Sequence, residues 1–67
     1  MKKLEDFQQR VVDEQAELET KIKGLQSFIE TSTLYLSLPL YEQKDMRDQL
    51  STMEHYSVIL IRRIRRF

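Results

Sequence analysis

The 67-residue chain has no cysteine and no tryptophan, one glycine, one proline and one histidine. Without cysteine there are no disulfides and no thiolate metal sites. A single glycine leaves no phosphate-cradling glycine loop and no nucleophile elbow. The one histidine, His55, sits between Glu54 and Tyr56 and off the apolar pattern, as a solvated histidine would. There is no H-E-x-x-H pair, and the carboxylate pairs Asp13/Glu14 and Glu17/Glu19 read as a solvated helix face. An enzyme needs a nucleophile, a tuned acid or base, or a metal, so a non-enzymatic binding role without a cofactor is expected. No run reaches 18 apolar residues, which argues against a membrane span. The stretch Met1–Asp6 has no apolar leader core, so a soluble protein in a reducing compartment is expected.

Excess charge of one sign is also lacking. Eleven bases cancel eleven acids. Residues 1–30 hold five bases and seven acids, and residues 31–67 hold six bases and four acids. Four of those six bases are Arg62, Arg63, Arg65 and Arg66. A balanced chain lacks the broad basic field of a general nucleic-acid binder, so DNA is not an expected partner. The arginine cluster still allows a local anion site.

What is present is helical periodicity. Leu4, Phe7, Val11, Leu18, Ile22, Leu25 and Ile29 recur at helical spacing, with a polar gap near Glu14 and Gln15. They predict a helix over about 3–30. Gly24 inside it costs about 1 kcal/mol against Ala and suits a close helix crossing or ligand approach. Thr31, Ser32 and Thr33 break the pattern, and residues 34–38 fit a short helix or a turn. Pro39 fits the first turn of the next helix, with Ser37 as its cap. That helix runs over about 39–66, with the seam Met46, Leu50, Met53, Ser57, Leu60, Ile64 and Phe67. The fold class is all-α: one domain, 1–67, an antiparallel hairpin of two long helices of about 40 Å each.

A 60-residue domain buries only roughly 60% of its unfolded surface, so a small monomer is marginal. The last third of the second long helix carries Tyr56, Val58, Ile59, Leu60, Ile61 and Ile64 around most of its circumference. One partner helix covers one face, so a compact homo-oligomer is expected. Two cationic groups remain for binding. Lys21 and Lys23 lie late in the first helix, where Lys21 also suits an i,i+4 pair with Glu17. Arg62, Arg63, Arg65 and Arg66 suit the helix C-terminus by dipole. Arg63, in line with Gln49 and Tyr56 beside the seam, needs either a carboxylate or a phosphate.

The ordered residues Phe7-x-x-Arg10-Val11, Glu14, Leu18, Lys21-Ile22, Leu25-x-x-Phe28-Ile29, Leu38-Pro39-x-x-Glu42-Gln43, Gln49-Leu50-x-x-Met53-x-x-Tyr56 and Leu60-x-x-Arg63-Ile64 span nearly the whole chain. In order and spacing they resemble the phage anti-CBASS cyclic-oligonucleotide sponges, the group with the T4-type sponge and crAss-like phage relatives. The resemblance implies a small helical protein assembled as a hexamer in the host cytoplasm. It implies sequestration of cyclic di- and trinucleotides without cleavage, starving the CBASS effector of its signal. By position Phe7 resembles the family's base-stacking aromatic and Lys21 its phosphate-binding lysine. Arg63 matches the arginine of a separate trinucleotide pocket, and Gln8 and Lys23 fall near family contact positions. Where the family pattern has tyrosine this chain has Phe7, which keeps stacking and loses a hydroxyl. The residues alone equally suit a helical-bundle adaptor for a protein partner; net neutrality weighs against RNA binding through the terminal arginines, and a membrane-surface role for those arginines with Ile61, Ile64 and Phe67 ranks below both.

Overall fold

The computed structural model describes residues 3–67. Met1 and Lys2, part of the stretch read for a leader, lie outside the described residues. Three helices follow in order: α1 (Asp6–Thr31), α2 (Thr33–Ser37) and α3 (Leu40–Arg65). No strand occurs among the described residues. The two long helices pack side by side into a rod of 50 × 15 × 14 Å.

The heptad seam is the reason. Val11, Leu18 and Ile22 of α1 and Leu60 of α3 form the buried core, with Leu50, Met53, Ile64 and Phe67 packed against it. Leu60 is 0% exposed; full burial of a leucine stabilises by roughly 1.5–3 kcal/mol. The polar gap in the first stripe and the small residue in the second meet each other. Gln15 Nε2 donates to Ser57 Oγ at 3.3 Å, and Ser57 Oγ donates to Glu19 Oε2 at 3.3 Å. This polar layer is satisfied internally, so it interrupts the apolar seam without leaving an unpaired group.

The connector is a short helix, and its caps differ from the expected ones. α1 ends where Ser32 turns extended, its N–H donating to the Phe28 carbonyl at 3.1 Å. The Ser32 hydroxyl then accepts the Leu34 N–H at 3.2 Å, which starts α2. Leu38 precedes proline and takes the extended backbone that proline imposes (φ −73°, ψ 152°). Ser37 is not the cap of α3: its hydroxyl donates back to the Leu34 carbonyl at 2.6 Å. Pro39 itself holds the cap position, and its carbonyl accepts from Glu42 and Gln43, both at 3.0 Å.

Buried Tyr35 fastens this end. Its hydroxyl donates to the Gln43 carbonyl at 3.2 Å and accepts from Arg47 at 3.2 Å. Its ring meets Phe28 edge-on at 6.1 Å. Buried Gln43 donates to the Leu36 and Leu38 carbonyls at 3.4 and 2.9 Å. At the opposite, open end Phe7 and Phe67 meet edge-on at 6.4 Å and 74°. The hairpin is thus tied by an aromatic pair at each end and by the polar layer between them.

One face only of α3 is covered. Tyr56, Val58 and Ile61 remain 41%, 51% and 36% exposed. A lone subunit therefore leaves apolar side chains of its second long helix in water.

Candidate binding site

Phe7 lies in the second residue of α1 and is 58% exposed despite its contact with Phe67. Arg63 is exposed in the last turn of α3, and Phe67 lies just past the end of that helix. The hairpin therefore brings Phe7, Phe67 and Arg63 to the same open end. An aromatic face and a guanidinium at that end suit a base and a phosphate respectively.

Lys21 is elsewhere. Fourteen residues separate it from Phe7, about 21 Å along the axis. The same spacing keeps the two within about 40° around the helix, so they lie on one flank at different heights. Lys21 and Lys23 are both exposed and differ by about 200°, so they face different sides. Within one chain, then, neither lysine lies beside Phe7, whereas exposed Arg10 follows it by one turn of α1.

Gln8 is half-buried and engaged locally. Its side-chain oxygen accepts the Glu5 N–H at 2.9 Å, closing the first turn of α1. Only its amide N–H groups remain for a ligand.

The pairing expected between Lys21 and Glu17 is not formed. Among the described residues the single ion pair is Lys44–Asp48, at 2.7 Å and in solvent. The hydrogen bond to Asp48, then its charge, holds the Lys44 ammonium above its ordinary value of 10.5. Lys21, Lys23, Arg63 and the other terminal arginines have no carboxylate partner among the described residues. His55 is exposed and off the seam, as its position implied. No group of His, Asp or Glu suited to a metal ion occurs among the described residues. No helix among them is long and apolar enough to cross a membrane.

A shallow depression of about 250 Å³ lies on the flank of α3 away from Arg63, lined by Val58, Ile61, Arg62 and Arg65. The sequence reading of these arginines, by helix dipole, local anion site or RNA contact, did not group Arg62 and Arg65 with Val58 and Ile61. The available signal was the pairing of Arg62 and Arg65 at i,i+3 with Val58 and Ile61 one turn before them.

Gly24 crosses nothing within the chain. A Cβ built there meets no atom within 4 Å, and its φ is not positive. The close helix crossing expected at this glycine is therefore not made by α3 of the same subunit.

No curated protein and no solved structure matches this chain. The Sequestin family matches residues 5–66, which takes in all three helices and the open end that carries Phe7 and Arg63. On that match the chain belongs to the Sequestin family.

Proposed function

We propose that this protein traps cyclic di- and trinucleotide messengers of CBASS immunity and withholds them from the effector without cleaving them. It would act as a phage product in the host cytoplasm. The observation that carries the reading is the Sequestin match over residues 5–66, a family whose name denotes sequestration. The residue pattern resembling the anti-CBASS sponges supplies the ligand class.

The chemistry is consistent with this. A cyclic oligonucleotide has one phosphate per nucleotide and two or three flat base faces. Stacking a base on an aromatic ring contributes about 1–3 kcal/mol. Cation-to-phosphate hydrogen bonds add to that. Phe7 offers an accessible ring, and Lys21 and Arg63 offer charges that no carboxylate among the described residues neutralises. Trapping requires tight contact and no reacting group, in keeping with the residue types present.

The separation of Phe7 from Lys21 bears on how a pocket is built. A gap of about 21 Å on one helix is too wide for one small ring to bridge. In this reading the lysine that meets a ligand stacked on Phe7 comes from a second copy. Self-association, to a hexamer by resemblance, then completes each pocket. It also covers Tyr56, Val58 and Ile61, which a lone chain leaves in water.

Titration calorimetry with purified cyclic di- and trinucleotides tests the proposal. Nucleotide recovered from the mixture is then checked by chromatography. Saturable binding and intact nucleotide are expected. Absence of heat at micromolar protein, or recovery of linearised nucleotide, overturns it.

A further inference from the structure

We infer that copies of this chain meet through unlike faces: the Val58/Ile61/Arg62/Arg65 flank of α3 docks on the outer face of α1 in the next subunit. The inference rests on the self-association proposed above and adds where the contact lies.

The α3 flank has the properties of an uncovered interface. Val58 is half exposed, Ile61 sits beside it, and both line the depression with Arg62 and Arg65. Neither arginine has a carboxylate partner among the described residues. Guanidinium groups over an apolar floor need an acidic partner with little bulk of its own.

The outer face of α1 has that character. Asp13 and Glu17 are exposed, one turn apart and far around the helix from buried Val11 and Leu18. No cation among the described residues lies within ion-pair distance of either. Between and beyond them run Ala16, Thr20 and Gly24 at steps of four, all exposed. The Thr20 hydroxyl is turned inward and donates to the Ala16 carbonyl at 3.2 Å, so that stripe is flat and presents no free donor. Gly24 is the telling residue. Helices avoid glycine in their interior, its backbone is ordinary, and nothing in its own chain occupies the space a side chain would fill. The chain's own packing does not call for it; an incoming helix does.

The spacings agree. With the α3 flank antiparallel to the next subunit's α1, one register sets Arg65 against Asp13 and Arg62 beside Ala16 and Glu17. The same register sets Val58 on Thr20 and Glu54 over Gly24. Both stretches are twelve residues long, about 16 Å from first to last. Made once between two subunits, the contact is heterologous and closes into a ring or continues as a chain; made twice about a two-fold axis, it closes a dimer.

Charge reversal in the full-length protein tests this by mass in solution at fixed concentration and low salt. The wild type is expected to be an oligomer. R62E/R65E and D13R/E17R are each expected to lower the assembled mass, with unchanged helical circular dichroism. Mixing the two variants, or combining all four changes in one chain, is expected to restore it. G24L is expected to weaken assembly without loss of helix. An oligomeric wild type whose mass ignores both reversals overturns the inference and leaves self-association standing. So does loss of mass that neither mixing nor combination restores. A monomeric wild type removes the self-association reading itself, and nucleotide calorimetry on the same samples reports separately on ligand binding.

Discussion

Leu60 and Val58 are two residues apart on α3, and their environments are opposite. Leu60 is fully enclosed by Val11, Leu18, Ile22 and neighbours, while Val58 is 51% exposed. Truncating Leu60 to Ala removes buried methyl groups and leaves a cavity, which costs about 2–5 kcal/mol. A chain of this length has roughly 3–10 kcal/mol to lose at about 0.05–0.15 kcal/mol per residue. Leu60→Ala should therefore remove a large share of that stability, by a similar amount at every concentration. Val58→Ala removes atoms already half in water and should cost less than about 0.5 kcal/mol in dilute solution. If a second subunit covers Val58, that small cost should grow as protein concentration rises, because assembly stabilises the folded state by mass action. Urea unfolding followed by far-UV circular dichroism, at concentrations about a hundredfold apart, separates the two effects. A Leu60→Ala cost below about 1 kcal/mol would refute the enclosed core. A Val58→Ala cost that does not change with concentration would refute its burial between subunits.

Further predictions follow from the polar contacts and the open end. Ser57→Ala leaves Gln15 and Glu19 without their shared hydroxyl and should cost about 0.5–1.5 kcal/mol in the same urea assay. Tyr35→Phe keeps the ring contact with Phe28 but loses the bonds to Gln43 and Arg47, so a similar loss is expected, read as a lower thermal midpoint. Phe7→Ala should weaken cyclic-nucleotide binding roughly 5- to 150-fold, the equivalent of one stacked base, with helix content retained. The raised Lys44 value implies a contribution fully present below pH 10.5 and lost as pH climbs through the raised value. Since the pair is in solvent, Lys44→Met should change the thermal midpoint at low salt and not at high salt.

Much of the hairpin was legible because a heptad seam is written directly in residue order. The break at Thr31–Thr33 was legible too, since three β-branched or hydroxyl residues end an apolar stripe. Ser37 misled as a cap because a serine two residues ahead of a proline has two uses, and the Leu34 carbonyl in its own short helix competed for its hydroxyl. The gap at Gln15 and the small residue at Ser57 each read as a local defect. Their meaning depends on register across the hairpin, which no single stripe contains. Candidate binding residues were legible as exposed cations and an aromatic beside a seam. Their grouping was not: Phe7 meets Phe67 at the open end, and Lys21 lies about half the length of α1 away. Periodicity reports which side a residue takes and is silent on how far along a folded rod two side chains end up.

The edge-on contact between Phe7 and Phe67 has a bearing on any guest at that end. Loose side chains lose freedom when they grip a ligand, a cost of about 0.5–1.5 kcal/mol for each one immobilised. Here the neighbouring ring has already narrowed the rotamers of Phe7 while leaving more than half of it open to water. A stacked base would meet a surface held in place beforehand by the far end of its own polypeptide.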